Sequence, residues 1–130
     1  MKGYWDSSAV IEACNNPALR VRLHRERGFT RTHTLAEVFS TLTGGNLAFR
    51  LGADEAAKTV ANLASDLDFQ DLSATDVLKA LKEGRKKGVR GGRIHDYLHA
   101  VAAEKSGARK FLTLDRNDFN DLTTVEIEAV

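Results

Sequence analysis

The chain has 130 residues, 42 % hydrophobic and 28 % charged, which is the size and composition of one globular domain and excludes a disordered chain. A single cysteine, Cys14, and a single proline, Pro17, exclude disulfide scaffolds and proline-rich folds. The 19 basic residues are balanced by 18 acidic ones, so a uniformly cationic nucleic-acid coat is excluded, while local charged patches remain open.

The elements alternate along the chain. Gly3-Tyr4-Trp5 reads as a short strand. Residues 7–13 follow as a helix with Ala9, Val10 and Ala13 on one face, and Asn15-Asn16-Pro17 interrupts it. A basic helix over 18–27 ends at Gly28. Residues 29–32 are β-compatible. Thr34 then opens a helix whose Leu35, Val38, Phe39 and Leu42 form an apolar stripe, stopped by Gly44-Gly45. Residues 54–67 are helical again, and 68–72 read as a strand. Ser73 is an N-cap with Asp76 three residues on. Residues 84–92 form a glycine-rich, cationic loop. Ile94, Tyr97, Leu98, Val101 and Ala102 mark the last helix, ended by Gly107. Residues 110–114 and 125–130 are the closing strands. Strands alternating with helices predict an α/β fold with a mostly parallel sheet and right-handed connections. No apolar run approaches the roughly 18 residues of a membrane span. Met1 to Asp6 lacks the apolar core of a signal peptide. The expectation is therefore a cytoplasmic protein with one domain over 1–130.

In open α/β sheets ligands bind beyond the carboxyl ends of the strands. Asp6 directly follows the first strand, and Asp115 follows the strand over 110–114. Glu37 and Asp96 lie near helix starts. At 100° per residue, each stands away from the apolar stripe of its helix. Carboxylates converging on one rim repel one another unless a hard cation compensates, and Mg²⁺ or Mn²⁺ suits an all-oxygen site. Each acid also has a purely structural reading. Asp6 can cap the first helix. Thr34-x-x-Glu37 is a capping box. Asp96 complements a helix dipole, and Asp115 suits a turn.

Tyr4-Trp5-Asp6-Ser7-Ser8-Ala9-Val10, Thr34-Leu35-Ala36-Glu37-Val38, Ile94-His95-Asp96-Tyr97-Leu98-His99-Ala100 and Leu112-Thr113-Leu114-Asp115-Arg116-Asn117-Asp118-Phe119 occur in that order. Together they resemble a PIN domain, specifically the single-domain VapC type of toxin–antitoxin ribonuclease. The resemblance covers essentially the whole chain. It implies a three-layer α/β/α fold with a mostly parallel sheet of four to five strands. It implies an endoribonuclease that hydrolyses RNA with metal-activated water and requires Mg²⁺ or Mn²⁺. Asp6, Glu37, Asp96 and Asp115 would be the catalytic, metal-holding acids. Ser8 and Thr113 would support them, and Asp118 competes with Asp115 for the fourth place. The resemblance also implies a homodimer and a cognate antitoxin.

Arg85, Lys86, Lys87, Arg90 and Arg93 precede Asp96 and are candidates for gripping RNA, with glycines 84, 88, 91 and 92 admitting phosphate close to the backbone. Arg20, Arg22, Arg25 and Arg27 form a second basic cluster, open to RNA, to antitoxin docking or to plain solvation. His95 and His99, four residues apart, read as an exposed pair on one helix rather than a shared metal site. Three other functions fit less well or stay open. A flavodoxin-like phosphoacceptor domain would need an acidic neighbour for Asp6. A silent PIN-like module would use the acids only to bind RNA or protein. A DNA-directed nuclease would use the same site.

Overall fold

Successive side chains of a strand point to opposite faces of a sheet, and the first strand applies this to two aromatic rings. Strand β1 is only Tyr4–Trp5. In the computed structural model, which describes residues 2–44 and 50–130, both rings are fully buried, one in each of two separate cores. Strands β2 (Phe29–Thr30), β3 (Asp68–Phe69), β4 (Lys110–Thr113) and β5 (Glu126–Ala129) complete the sheet. Its five strands run in the order β3-β2-β1-β4-β5, every neighbouring pair parallel. Tyr4 stands opposite Phe29 and Phe111, and Trp5 opposite Leu112.

Helices α1 (Ser7–Asn15), α2 (Pro17–Glu26), α3 (Thr32–Gly44) and α4 (Ala53–Ser65) cover the Trp5 face. Their contributions include Val10, Leu23, Val38, Leu42 and Leu63, which pack with Trp5 and Leu112. Helices α5 (Ala74–Lys86) and α6 (Arg93–Ser106) cover the other face, where Ala80, Tyr97, Ala100 and Ala103 pack with Tyr4 and Phe111. The three-layer α/β/α arrangement follows.

Local chemistry sets the boundaries. Asn16 caps α2 by accepting from the Leu19 N–H at 3.1 Å, with Pro17 in the first helical position. Ser73 and Asp76 form the expected capping box of α5. Gly107 takes the left-handed conformation, φ 74°, that ends α6.

Several boundaries differ from the sequence reading, three of them near the site or the basic loop. Helix α3 begins at Thr32, not Thr34, because Asp71 accepts from the Thr32 N–H and hydroxyl, both at 3.0 Å. Thr34 is then buried inside the helix, its hydroxyl 2.7 Å from that of Thr30. It is no cap, and the capping-box reading of Glu37 falls away. Strand β3 stops at Phe69, since the Gln70 N–H makes the last bond across to Thr30 and Asp71 turns toward α3. Helix α5 runs through Gly84 to Lys86, so the cationic loop is shorter than 84–92. The expected stop at Gly44-Gly45 is half visible: Gly44 ends α3, and Gly45 lies outside the described residues.

Gly28 sits where β1 and β2 come together. A Cβ there would lie 2.6 Å from the Gly3 carbonyl oxygen and 2.6 Å from the Trp5 ring. The Gly28→Ala variant is expected to lose about 1–3 kcal/mol, measured as a lower denaturation midpoint. A midpoint equal to wild type would contradict this close approach.

Candidate functional site

The strand order turns outward in both directions from β1 and β4, which opens a crevice at their carboxyl ends. Asp6 is the first residue beyond β1 and is 4 % exposed. Its backbone N–H donates to the Leu112 carbonyl at 3.1 Å, tying it to β4. One carboxylate oxygen, Oδ1, caps α1, accepting from the Ala9 N–H at 2.9 Å and from the Ser8 hydroxyl at 2.7 Å. Capping and site readings thus coexist in one side chain. Burial pushes the Asp6 carboxyl above its usual range, against the hydroxyls of Thr113 and Ser8 and the Ala9 N–H. Ser8 also accepts from the Leu114 N–H at 3.0 Å and lies 3.3 Å from the Thr113 hydroxyl. These two hydroxyls lock the loop after β4 against the start of α1.

Glu37 projects from α3, half-buried. Its Oε1 lies 3.0 Å from His99 Nε2, and Oε2 accepts from the Ser7 hydroxyl at 3.4 Å. Burial works against its charge, but His99, His33 and Ser7 outweigh it and hold the carboxyl below the ordinary value. His99 is 1 % exposed, and its Nδ1 lies 2.7 Å from the Tyr4 hydroxyl. The reading of His95 and His99 as an exposed pair is therefore corrected. Helix α6 is wedged between α5 and the sheet, so the run Tyr97 to Ala100 is buried without a solvent stripe. His95 alone is exposed, and its ring stacks on His33 of α3 at 6.1 Å between centroids.

Asp96, in the first turn of α6, is half-buried. Burial raises its carboxyl, as do the charges of Asp118, Asp6 and Glu37, with His99 opposing. Asp96 is thus the acid that feels the charges of the other three. Asp115 is exposed and caps the short 3-10 turn Arg116–Asp118, accepting from the Asn117 N–H at 3.1 Å. Its charge, after desolvation, helps to raise Asp118, against Arg93. Asp118 is thus the acid of this turn whose field reaches Asp96 most strongly.

The carboxylates on this rim offer oxygen donors, which suit a hard divalent cation. Among the described residues no three of these side chains are drawn together into a direct ligand cluster. Mg²⁺ keeps several waters and takes only one or two carboxylates directly, so the donor set fits such an ion. Asp96 carries repulsion from neighbouring acids, and Asp6 the cost of burying its charge; a cation would relieve both.

The basic loop stands beside the rim. Arg85, Lys86, Lys87 and Arg90 are exposed, and Arg93 opens α6 near Asp118. Gly88 and Gly91 hold positive φ, 74° and 61°, which glycine adopts without strain. Gly84 serves packing instead: a Cβ there would meet the Tyr97 ring at 3.1 Å, so it does not admit phosphate to the backbone as the sequence suggests. The second basic cluster is largely neutralised. Arg20 pairs with Asp66 at 2.8 Å, Arg22 with Glu26 and Glu128, and Arg27 with Asp68 at 3.3 Å. Sequence reasoning missed His99 and Ser7 as partners of Glu37. An imidazole three residues after Asp96 was the available signal.

The PIN domain family model matches residues 4–124, and the chain belongs to that family. PIN domains are generally nucleases that use divalent metals and act on RNA. No curated protein matches the sequence. No helix among the described residues is long and apolar enough to cross a membrane.

Proposed function

We propose that this protein is a divalent-metal-dependent endoribonuclease, acting as the VapC-type toxin of a toxin–antitoxin pair. The carrying observation is the rim itself. The charges of Asp6, Glu37 and Asp118 all reach Asp96 near the carboxyl ends of β1 and β4, with a cationic loop leading toward it. Asp6, Glu37 and Asp96 form the catalytic acids, and the Asp115–Asp118 pair supplies the fourth. Ser8 and Thr113 hold Asp6 in place. A bound Mg²⁺ or Mn²⁺ would supply Lewis-acid stabilisation of the phosphodiester and a lowered pKa for the attacking water. The chain's own acids orient that chemistry, with Arg93 beside Asp118. The domain spans 1–130 and works in the cytoplasm as a homodimer under the control of an antitoxin, as the VapC resemblance implies.

RNA and DNA single strands of one sequence, incubated with antitoxin-free protein and Mn²⁺, test the substrate class. Cleavage of RNA to discrete fragments with DNA left intact is expected. Preferential cleavage of DNA would overturn the reading, and tight metal binding without any cleavage would favour a silent module.

The basic loop should act through phosphates. Replacing Arg85, Lys86 and Arg90 by Gln is expected to weaken RNA binding similarly for all sequences. It should also reduce the slope of log affinity against log salt by about 0.7 for each phosphate no longer neutralised. Filter binding at several salt concentrations measures both. An unchanged slope would place the RNA elsewhere.

A further inference from the structure

His99 is a buried polar side chain without an assigned role in the site. It is buried at 1 % exposure, yet both ring nitrogens are engaged. Nδ1 lies 2.7 Å from the Tyr4 hydroxyl and Nε2 lies 3.0 Å from Glu37 Oε1. Tyr4 is itself fully buried, and its ring meets the imidazole edge-on at 5.8 Å. A phenol sealed in that layer needs an acceptor for its hydrogen, and the Nδ1 lone pair lies within reach. An imidazole whose Nδ1 accepts carries its proton on Nε2. That N–H then points at one oxygen of Glu37.

We propose that His99 is a positioning residue of the acidic site, its tautomer fixed by Tyr4 and Glu37 together, which clamps Glu37 Oε1 and leaves Oε2 to face the metal rim. Several features of the fold support this. Tyr4 precedes Asp6 by two residues, so β1 carries the anchor of His99 on one face and a site acid at its end. His99 lies one helical turn after Asp96, so α6 carries both the clamp and a second acid. Ser7, next to Asp6, reaches the other Glu37 oxygen only at 3.4 Å, a long hydrogen bond that a cation can displace. Tyr4, His99 and Glu37 thus tie β1, α6 and α3 into one register, and the geometry of three site acids becomes interdependent. Groups that orient metal-ligating carboxylates are commonly worth 10–100-fold in metal affinity or activity. This inference rests on the metal-site reading above.

The test separates the two. Mn²⁺ binding to the full chain is titrated by electron paramagnetic resonance for wild type, Asp96→Asn, His99→Leu, His99→Gln and Tyr4→Phe. Long-range ¹H–¹⁵N spectra of the metal-free protein report which ring nitrogen carries the proton. Wild type should show the proton on Nε2, and Tyr4→Phe should keep it there, because the Glu37 carboxylate only accepts. His99→Leu should weaken Mn²⁺ binding about 10–100-fold. His99→Gln should restore most of the loss, because one amide offers both a donor for Glu37 and an acceptor for Tyr4. A merely structural residue would lower the denaturation midpoint in His99→Leu and leave the Mn²⁺ affinity of the folded protein unchanged. A proton on Nδ1 in wild type, or His99→Leu binding Mn²⁺ as wild type does while Asp96→Asn does not, overturns the positioning role alone. Mn²⁺ binding indifferent to Asp96→Asn overturns the acidic site and this role with it.

Discussion

Asp96→Asn is expected to reduce metal-dependent RNA cleavage by more than about 100-fold, beyond what loss of a ligand's supporting partner costs, while the metal-free protein becomes more stable. The two effects share one cause. Burial and the charges of Asp118, Asp6 and Glu37 hold the Asp96 carboxyl above its ordinary value, and burial does the same for Asp6. The folded state therefore favours their protonated forms. That stability is full below the ordinary carboxyl pKa of about 3.9 and is lost as pH rises through the raised folded values. Near neutral pH the ionised acids oppose folding. An amide copies the shape of the neutral form and removes that opposition. In EDTA at neutral pH the variant should melt higher than wild type, and the gap should close in acid. Added Mn²⁺ should reverse the order, because only the intact site gains binding energy in the folded state. A variant that melts far below wild type in EDTA would make Asp96 a structural residue.

The largest expected effect on stability is at Phe111. It is fully buried in β4, stacked on Tyr4 at 5.5 Å between centroids and packed against Phe119 at 4.5 Å. Phe111→Ala should cost about 3–5 kcal/mol, a large share of the roughly 5–15 kcal/mol available to a domain. Urea unfolding should show a lower midpoint at an unchanged slope. Phe111 supports Tyr4, and Tyr4 holds His99, so residual folded protein should also bind Mn²⁺ less tightly. A loss under about 1 kcal/mol would mean that this aromatic layer is not packed as described.

The architecture is legible in the sequence because it rests on local signals. Short apolar runs mark the strand ends, and Asp6 follows the first of them directly. Helical stripes mark the faces, and Ser73 with Asp76 announces a helix start. What the sequence withholds lies in pairings between distant elements. Arg22 reaches Glu128 across 106 residues, so a cluster that reads as cationic is mostly neutral. His99 looks exposed by spacing from His95, because a periodic stripe assumes one buried face, and α6 buries more than one. Thr34 matches a capping box only until Asp71 lengthens α3 at its start. The choice between Asp115 and Asp118 depends on a 3-10 turn that no local motif encodes. In that turn Asp115 spends an oxygen on the Asn117 N–H, while the charge of Asp118 acts on Asp96.

On the reading proposed here, the acids at the strand ends cut RNA with a divalent ion. The most direct test of that claim is single-turnover cleavage of a mixed, structured RNA by purified, antitoxin-free protein in Mn²⁺, in Mg²⁺ and in EDTA, with Asp6→Asn alongside. Discrete fragments that need metal and disappear in the variant are expected. Fragments that persist in EDTA or in Asp6→Asn would contradict the claim.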